Sequence, residues 1–212
     1  MIVSFLIPTR GRLQSLLDGI RSIKEKASPD VQVEILIRID EDDGETLAGR
    51  DRIPKDVEIV IGPRWCGYDS VHVFYNELAV KSHGDWIILW NDDTFMKTHH
   101  WDKLLPPADR AQVVWLHSPT SWTWAFPAMT RKLYELWGCF ARSPPTDACI
   151  FDIWKTAGKP IPNPEDHSRQ IIVDHRRNEA NIRALGINPK DKIFPPYNPI
   201  GKDLVELLRD TP

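Results

Sequence analysis

The chain has 212 residues, of which 42% are hydrophobic and 27% are charged, a composition typical of a folded globular protein. Its net charge of −3 argues against a surface built mainly to hold nucleic acid or anionic lipid, although it leaves room for a local basic groove. No apolar stretch approaches the ~20 residues that span a bilayer, and the N-terminus lacks the layout of a secretion signal. The three cysteines have no metal-binding spacing and leave an odd thiol, which favours a reducing cytoplasm.

Strands and helices alternate along the first half of the chain. Apolar, β-favouring runs predict strands at residues 2–8, 33–39, 57–61 and 86–90. Residues 12–26 and 70–82 carry apolar side chains at helical spacing. This alternation predicts parallel strands that are joined by right-handed crossovers.

The pattern becomes less regular beyond Pro106 and Pro107. Further strands are predicted at residues 112–116, 122–126 and 171–173, and helices at residues 131–137, 147–158, 177–185 and 203–209. No repeat or long linker separates these elements. We therefore expect one domain over residues 1–212, with a nucleotide-binding half at 1–105 and an acceptor-binding half at 106–212 that ends in a tail helix.

The most informative feature is a strand that leads directly into paired carboxylates. Residues 86–90 are apolar on both faces, and Asn91-Asp92-Asp93-Thr94 follow without a spacer. Acids at the carboxyl end of such a buried strand lie where open α/β sheets bind ligands. Two adjacent acids repel each other unless a positive group lies beside them, and a divalent cation that bridges to a phosphate meets that need. The same four residues also suit a simple turn before a helix.

Five motifs in a fixed order extend this observation. They are Ser-Phe-Leu-Ile-Pro-Thr-Arg-Gly-Arg at residues 4–12, Ile-Asp-Glu-Asp-Asp-Gly at 39–44, Asn76 followed by Gly-Asp-Trp-Ile-Ile-Leu-Trp-Asn-Asp-Asp at 84–93, Gly-Cys-Phe at 138–140 with Asp147, and Ala157-Gly158. Over about residues 2–185 this order resembles the GT-A glycosyltransferases of the family 2 type. The corresponding family motifs are S-V-I-I-P-T-Y-N-R, V-D-D-G-S, an Asn on the helix before G-E-Y-I-A-F-L-D-A-D, G-G-F with E-D, and A-G.

The resemblance implies an α/β fold with a single GT-A, Rossmann-like domain, in which a mixed, mostly parallel central sheet is flanked by helices. It also implies an activity: metal-dependent, inverting transfer of a sugar from a nucleotide diphosphate sugar, most simply a UDP-sugar, to an acceptor hydroxyl. The implied cofactor is Mn²⁺ or Mg²⁺.

Site residues follow from the same resemblance. The residues that it assigns to the nucleotide sugar are Thr9, Arg10, Arg12, Asp40, Asn76, Asn91 and Asp92. Asp93 and His175 would hold the metal, and Asp147 would act as the general base, with Asp152 as the fallback. Asp40 would accept a hydrogen bond from a uracil N–H group.

Several of these positions have a plainer alternative or depart from the family. Asp147 also suits the start of a helix, His175 an ordinary packed residue, and Asp42 with Asp43 an exposed turn. Asn91 replaces the first acid of the D-x-D triplet, and Thr146 replaces the first acid of the catalytic pair.

The acceptor is left open by the sequence. It is either a saccharide or, for a phage-type enzyme, a hydroxymethylated base in DNA, for which the nine Trp residues and the Arg clusters are suited. A sugar-nucleotide pyrophosphorylase is a rival, but its Gly-rich loop is missing; an inactive nucleotide-sugar-binding module is another. The stripe of Leu204, Val205 and Leu208 suits either intramolecular packing or a homodimer. The expected location is the cytoplasm, or the host cytoplasm for a viral protein.

Overall fold

The structure, a computed structural model, describes residues 1–121, 124–161 and 170–176 together with residue 208. Within this part of the chain the strands are β1 (Ile2–Thr9), β2 (Gln32–Asp40), β3 (Val57–Gly62), β4 (Trp86–Leu89), β5 (Thr94–Met96), β6 (Val113–Leu116), β7 (Phe126–Thr130) and β8 (Val173–His175). The α-helices are α1 (Leu13–Lys26), α2 (Gly44–Ala48), α3 (Val71–Lys81), α4 (Arg131–Trp137) and α5 (Thr146–Thr156).

Six strands form one central sheet in the order β3-β2-β1-β4-β7-β6. β1 lies parallel to β2 and β4, and β2 lies parallel to β3, whereas β7 is antiparallel to both β4 and β6. Every residue of β4 is buried, as its apolar run predicts for a strand covered on both faces. The expected α/β architecture with a mixed, mostly parallel central sheet is therefore confirmed.

The residues that follow β1, β2 and β4 leave the sheet at one edge. The register pairs Leu6 of β1 with Leu89 of β4 and, on the other side of β1, Thr9 with Ile39 of β2. Because all three strands are parallel, their carboxyl ends meet at the same edge, where open α/β sheets bind ligands.

A second, two-stranded sheet adds a segment from late in the chain to this edge. β5 pairs antiparallel with β8, so that Thr94 lies opposite His175 and Met96 opposite Val173. The sequence does not predict β5, because the three residues after the acid pair are too few to show the period of a strand. Its pairing with β8 places His175 beside the end of β4.

α1 packs on the sheet and closely against β5. Its residues Leu16, Ile20 and Ile23 are buried, as the predicted apolar stripe requires. A Cβ atom at Gly19 would lie 2.9 Å from the carbonyl oxygen of Thr94. Glycine is therefore the residue that allows α1 and β5 to approach each other this closely.

Two predicted strands are shifted in the structure. Of the strand predicted at residues 122–126, residues 122 and 123 lie outside the described residues, residues 124 and 125 are not in a strand, and β7 begins at Phe126, where pairing with the end of β6 starts. Trp124 lies in a turn, and its indole stacks on Phe151 of α5 with a centroid distance of 5.0 Å. The strand predicted at 171–173 is displaced towards His175, since β8 pairs with β5 only from Val173 onwards.

The predicted helices at residues 177–185 and 203–209 fall outside the described residues, apart from Leu208, which is helical and buried. The division of the chain into nucleotide-binding and acceptor-binding halves stays a prediction. None of the described helices is long and apolar enough to cross a membrane.

Candidate active site

Two buried carboxylates occupy the end of β4. Asp92 and Asp93 are 7% and 9% exposed. Arg12 lies between them, and its Nη1 donates to Asp92 Oδ1 and to Asp93 Oδ2 at 2.9 Å each. The hydroxyl of Thr9 donates to Asp92 Oδ2 at 2.9 Å. The positive group that two adjacent acids require is therefore supplied by the chain itself, in the guanidinium of Arg12.

The charge of Asp92 is sensitive to pH just below neutrality. Burial raises the pKa of Asp92 to about 6, because the carboxylate loses its contact with water. The guanidinium of Arg12 opposes this rise in pKa, and the neighbouring charge of Asp93 adds to it. Asp92 thus keeps its negative charge at neutral pH against a burial penalty.

His175, the last residue of β8, faces Asp93. Its Nε2 lies 3.1 Å from Asp93 Oδ1 and 3.3 Å from Asn91 Nδ2. The other ring nitrogen, Nδ1, lies 2.6 Å from the hydroxyl of Ser121. The structure therefore brings together the residues at 91, 93 and 175 that the sequence assigns to ribose and metal. It adds Ser121, for which the sequence carries no signal.

The facing atoms of Asp93 and His175 fit a divalent cation. Asp93 Oδ1 is buried and faces His175 Nε2, so an ion between them could take one lone pair from each atom once Nε2 carries no proton. Two neighbouring ligands of an octahedral ion with bonds of ~2.1 Å lie about 3 Å apart, which agrees with the separation of Oδ1 and Nε2. No cluster of three or more His, Cys, Asp and Glu side chains that could hold a metal occurs among the described residues. An ion that takes its other ligands from phosphate and water needs no such cluster.

Asp40, at the end of β2, is held by two arginines. Arg10 Nη1 donates to Asp40 Oδ2 at 3.1 Å, and Arg38 donates to Oδ1. Arg10 also donates to the exposed Asp42 at 2.5 Å. Burial raises the pKa of Asp40, and the two arginines oppose the rise. Because each carboxylate oxygen has two lone pairs, Asp40 can still accept a hydrogen bond from a ligand.

Arg38 is a buried partner of Asp40 to which the sequence motifs do not point. Its side chain is 1% exposed, and its guanidinium carbon lies 4.2 Å from the centroid of the Phe74 ring. It also donates to Glu77 at 3.2 Å. A charge inside an otherwise apolar strand was the available signal, since a buried cation needs acidic or aromatic partners.

The composition of the loop after β2 predicts an exposed turn at Asp42 and Asp43, and only one of these two acids is exposed. Asp42 is exposed, but Asp43 is 4% exposed and caps α2 by accepting from Thr46 N at 3.2 Å. Asp43 also accepts from the backbone N–H of Gly11 at 2.9 Å, and Gly11 adopts a left-handed conformation with φ of +62°. This contact joins the loop after β2 to the turn after β1.

The side-chain amide of Asn76 binds main-chain groups of the loop after α4. Its Oδ1 accepts from the N–H groups of Phe140 and Ala141 at 2.7 and 3.1 Å, and its Nδ2 donates to the Ala141 carbonyl at 2.6 Å. The adjacent Tyr75 places its hydroxyl 3.0 Å from Asn91 Oδ1. The amide of Asn76 thus anchors the loop after α4, and its assignment to the nucleotide sugar stays a prediction.

Asp147 lies in the first turn of α5, and the N-cap position is occupied by Pro145. Thr146, which stands where the resembled family has an acid, is 3% exposed, and its hydroxyl has no hydrogen-bond partner among the described residues. α5 contacts β7, which pairs with β4. The helix of Asp147 therefore lies on the same sheet as the acid pair, while its role as a base stays a prediction.

A cavity of about 270 Å³ opens beside the acid pair. It is lined by residues 11–15 at the start of α1 and by Glu45, Asp93 and Arg176. α1 has no acidic residue in its first turn, and no side chain caps its start. Unpaired N–H groups at a helix start attract anions, so this wall of the cavity suits a phosphate.

No protein family and no curated protein matches the sequence. Solved structures match in fold. The mannosyltransferase PcManGT from Pyrobaculum calidifontis, solved in complex with GDP-Man and Mn²⁺, matches with a TM-score of 0.57 at 12% identity, over 98% of this chain and 68% of that chain. The S. aureus structure "TarS 1-349" matches with a TM-score of 0.52 at 9% identity, over 84% of this chain and 59% of that chain. Of a longer S. aureus TarS structure, this chain spans only 22%.

Identities this low show the fold alone. The strand order, the acid pair at the end of β4 and the two structural matches agree on the same architecture. The chain has the fold of the GT-A glycosyltransferases.

Proposed function

We propose that this protein is a metal-dependent, inverting glycosyltransferase that uses a nucleotide diphosphate sugar, most simply a UDP-sugar. The observation that carries the proposal is the facing pair of Asp93 Oδ1 and His175 Nε2, 3.1 Å apart at the end of a buried parallel strand. A pair of ligands there, beside a donor-rich helix start, is what a cation bound to a diphosphate needs. The match to a structure that contains GDP-Man and Mn²⁺ supports this chemistry.

The nucleotide would lie against the ends of β1 and β2. Asp40 would accept a hydrogen bond from the base, and Arg10, which is 25% exposed, would contact the base or the diphosphate. Thr9 and Arg12 hold Asp92 in place by donating a hydrogen bond to each of its two carboxylate oxygens. Asn91 and Asp92 would face the ribose.

Mn²⁺ or Mg²⁺, held by Asp93 and His175, would neutralise the charge that develops on the leaving diphosphate. The rest of the reaction falls to the chain. Asp147 would remove the proton from the acceptor hydroxyl while the acceptor oxygen forms its bond to the anomeric carbon. The bond from that carbon to the diphosphate oxygen breaks on the opposite face, and its electron pair leaves with the diphosphate.

The acceptor would bind in the half of the chain after residue 105. A saccharide is the simpler acceptor, and a hydroxymethylated base in DNA is the alternative. All three cysteines are free thiols, which is compatible with the cytoplasm as the proposed location.

Calorimetric titration of UDP and of GDP, each with and without MnCl₂, tests the donor site. We expect Mn²⁺ to tighten UDP binding at least ~10-fold in the wild type. It should have no such effect in Asp93→Asn, because the carboxylate that would hold the ion is lost. Asp56→Asn is the matched control, since Asp56 is an exposed acid paired with Lys24.

The other outcomes are equally informative. Tighter binding of GDP than of UDP would mean that the donor nucleotide contains guanine instead of uracil, and the proposed reaction would stay the same. Nucleotide binding that is indifferent to Mn²⁺ would remove the metal from the proposal. Release of pyrophosphate from a nucleoside triphosphate and a sugar phosphate would identify a pyrophosphorylase instead.

A further inference from the structure

A short turn, residues 118–121, is fixed to the segment that carries His175. Val173 N donates to the His117 carbonyl, and His117 N donates to the Ile171 carbonyl, both at 2.8 Å. These bonds form a parallel bridge between the residue after β6 and the start of β8. The backbone therefore determines where the turn lies relative to His175.

Two hydroxyl groups of this turn bind opposite ends of His175. Thr120 donates to its main-chain carbonyl at 2.9 Å, and the Ser121 hydroxyl lies 2.6 Å from the ring Nδ1. The ring of Phe126 packs edge-on against the imidazole, with a centroid distance of 5.3 Å and an interplanar angle of 89°. These contacts restrict both the position and the rotation of the imidazole.

The other ring nitrogen, Nε2, faces Asp93 and Asn91. It lies 3.1 Å from Asp93 Oδ1 and 3.3 Å from Asn91 Nδ2. Without an ion, a proton on Nε2 can be donated to Asp93 Oδ1, while Nδ1 accepts from the Ser121 hydroxyl. An ion shared with Asp93 would take the Nε2 lone pair, so the ring proton would then lie on Nδ1 and be donated to Ser121.

Asp93 is oriented in a similar way. Arg12 binds its Oδ2 at 2.9 Å, and the buried Oδ1 faces His175 Nε2 at 3.1 Å. Arg12 thus binds Oδ2 of Asp93, and Ser121 binds Nδ1 of His175. The remaining atoms of the two side chains, Asp93 Oδ1 and His175 Nε2, are directed at each other. Metal ligands are commonly oriented by such hydrogen bonds on the far atom.

We propose that Ser121 is a positioning residue for the divalent cation. Its hydroxyl keeps His175 in the rotation and the tautomer that direct the Nε2 lone pair at an ion shared with Asp93. This inference rests on the metal dependence in the proposed function. Loss of such an orienting partner costs about 10–100-fold in metal affinity.

Mn²⁺ binding in the presence of UDP, followed by electron paramagnetic resonance, provides the first readout. We expect Ser121→Ala to weaken Mn²⁺ binding about 10-fold and Ser121→Thr, which keeps the hydroxyl, to stay within about twofold of the wild type. Ser118→Ala is the matched control, because its hydroxyl belongs to the same turn but lies 3.2 Å from the Thr120 hydroxyl instead of the imidazole. We expect this control also to stay within about twofold.

The second readout uses diamagnetic Mg²⁺ together with UDP. Long-range ¹H–¹⁵N spectra of the imidazoles, with His175→Gln to identify the resonance, report the tautomer of His175. We expect Mg²⁺ with UDP to favour the Nδ1–H form in the wild type and in Ser121→Thr, and to do so only at higher Mg²⁺ concentration in Ser121→Ala. An Nε2–H form that persists in the wild type at saturating Mg²⁺ and UDP would overturn the inference.

The two readouts separate this inference from the proposed function. Mn²⁺ binding that is unchanged by Ser121→Ala overturns only the role of Ser121. Failure of the wild type to bind Mn²⁺ with UDP overturns both the metal dependence and this inference.

Discussion

The Nη1 atom of Arg12 lies 2.9 Å from Oδ2 of Asp93, and the same atom donates to Asp92 at an equal distance. One nitrogen therefore contacts two adjacent buried carboxylates, and the single positive charge of Arg12 balances one of their two negative charges. A residue that follows β1 is in this way tied to the end of β4. The stability of the ligand-free protein depends on this contact.

Arg12→Gln should destabilise the protein by about 3–5 kcal/mol near neutral pH, because it leaves two buried carboxylates without their cation. The loss should be smaller at about pH 5, where Asp92 more readily takes up a proton. Urea unfolding measures both values. The control is Arg21→Gln, whose side chain is 61% exposed and lies 3.3 Å from Asp18; it should cost less than about 0.5 kcal/mol. Equal losses in the two variants would contradict the role of Arg12.

The stability of the wild type relative to Asp92→Asn should decrease with rising pH. The pKa of Asp92 is raised from 3.8 to about 6 in the folded state. Its stabilising contribution is therefore fully present below about pH 4 and is lost as the pH rises through about 6. A shift of this size corresponds to a change on the order of 3 kcal/mol in the free energy of unfolding.

Urea unfolding of both proteins between about pH 4 and about pH 7.5 measures this change. Asp56 provides a control of opposite sign, because a hydrogen bond from Lys24 lowers its pKa. The comparison with Asp56→Asn should show no loss of relative wild-type stability over this pH range, because the contribution of a carboxylate with a lowered pKa is complete above its unfolded-state value and is lost only as the pH falls below it. The contribution itself should be small, since Asp56 is exposed. Parallel curves for the wild type and Asp92→Asn would show that Asp92 is not buried as described.

Asp147→Asn should lower kcat about 10²–10⁴-fold and leave the affinity for the donor within about twofold, because a general base acts on the acceptor and does not hold the nucleotide. Asp152→Asn, on an exposed position of the same helix, should leave kcat nearly unchanged. Initial rates with saturating donor and a direct binding titration separate the two effects. A large loss in Asp152→Asn alone would transfer the role of the base to that residue.

Asn76→Ala should destabilise the protein by about 2–4 kcal/mol, since it removes three hydrogen bonds to the backbone of Phe140 and Ala141. Amide hydrogen exchange at these two residues should accelerate, which a purely ligand-binding Asn would not cause. Gln14→Ala, which removes an exposed amide next to Asp18, is the control. If UDP affinity falls in Asn76→Ala without a loss of stability, the residue contacts the nucleotide directly.

The local elements follow from local patterns. The apolar run at residues 86–90 predicts a buried strand, and β4 is buried at every position. The stripe in residues 12–26 predicts α1, and its leucines and isoleucines pack on the sheet. Period and burial are properties of a few neighbouring residues, so the sequence expresses them directly. The exception is the strand predicted at 122–126, where pairing with β6 decides the start of β7.

The site residues divide along the same line. Asp92 and Asp93 are visible in the sequence because they follow the strand whose end they occupy. Arg38 left a weaker signal as a charge among apolar residues, whereas Ser121 left none. Ser121 lies in a turn of ordinary composition and gains its importance from a single contact with His175.

The sequence by itself determined the strand–helix alternation, the buried β4 and the acid pair at its end, because each depends on hydrophobic period and on neighbouring residues. Only the tertiary structure decided that Arg12 lies between the two acids and that the pairing of β5 with β8 brings His175 to Asp93. These contacts join residues far apart in the chain through the register of strands, and strand register is a property of the whole sheet.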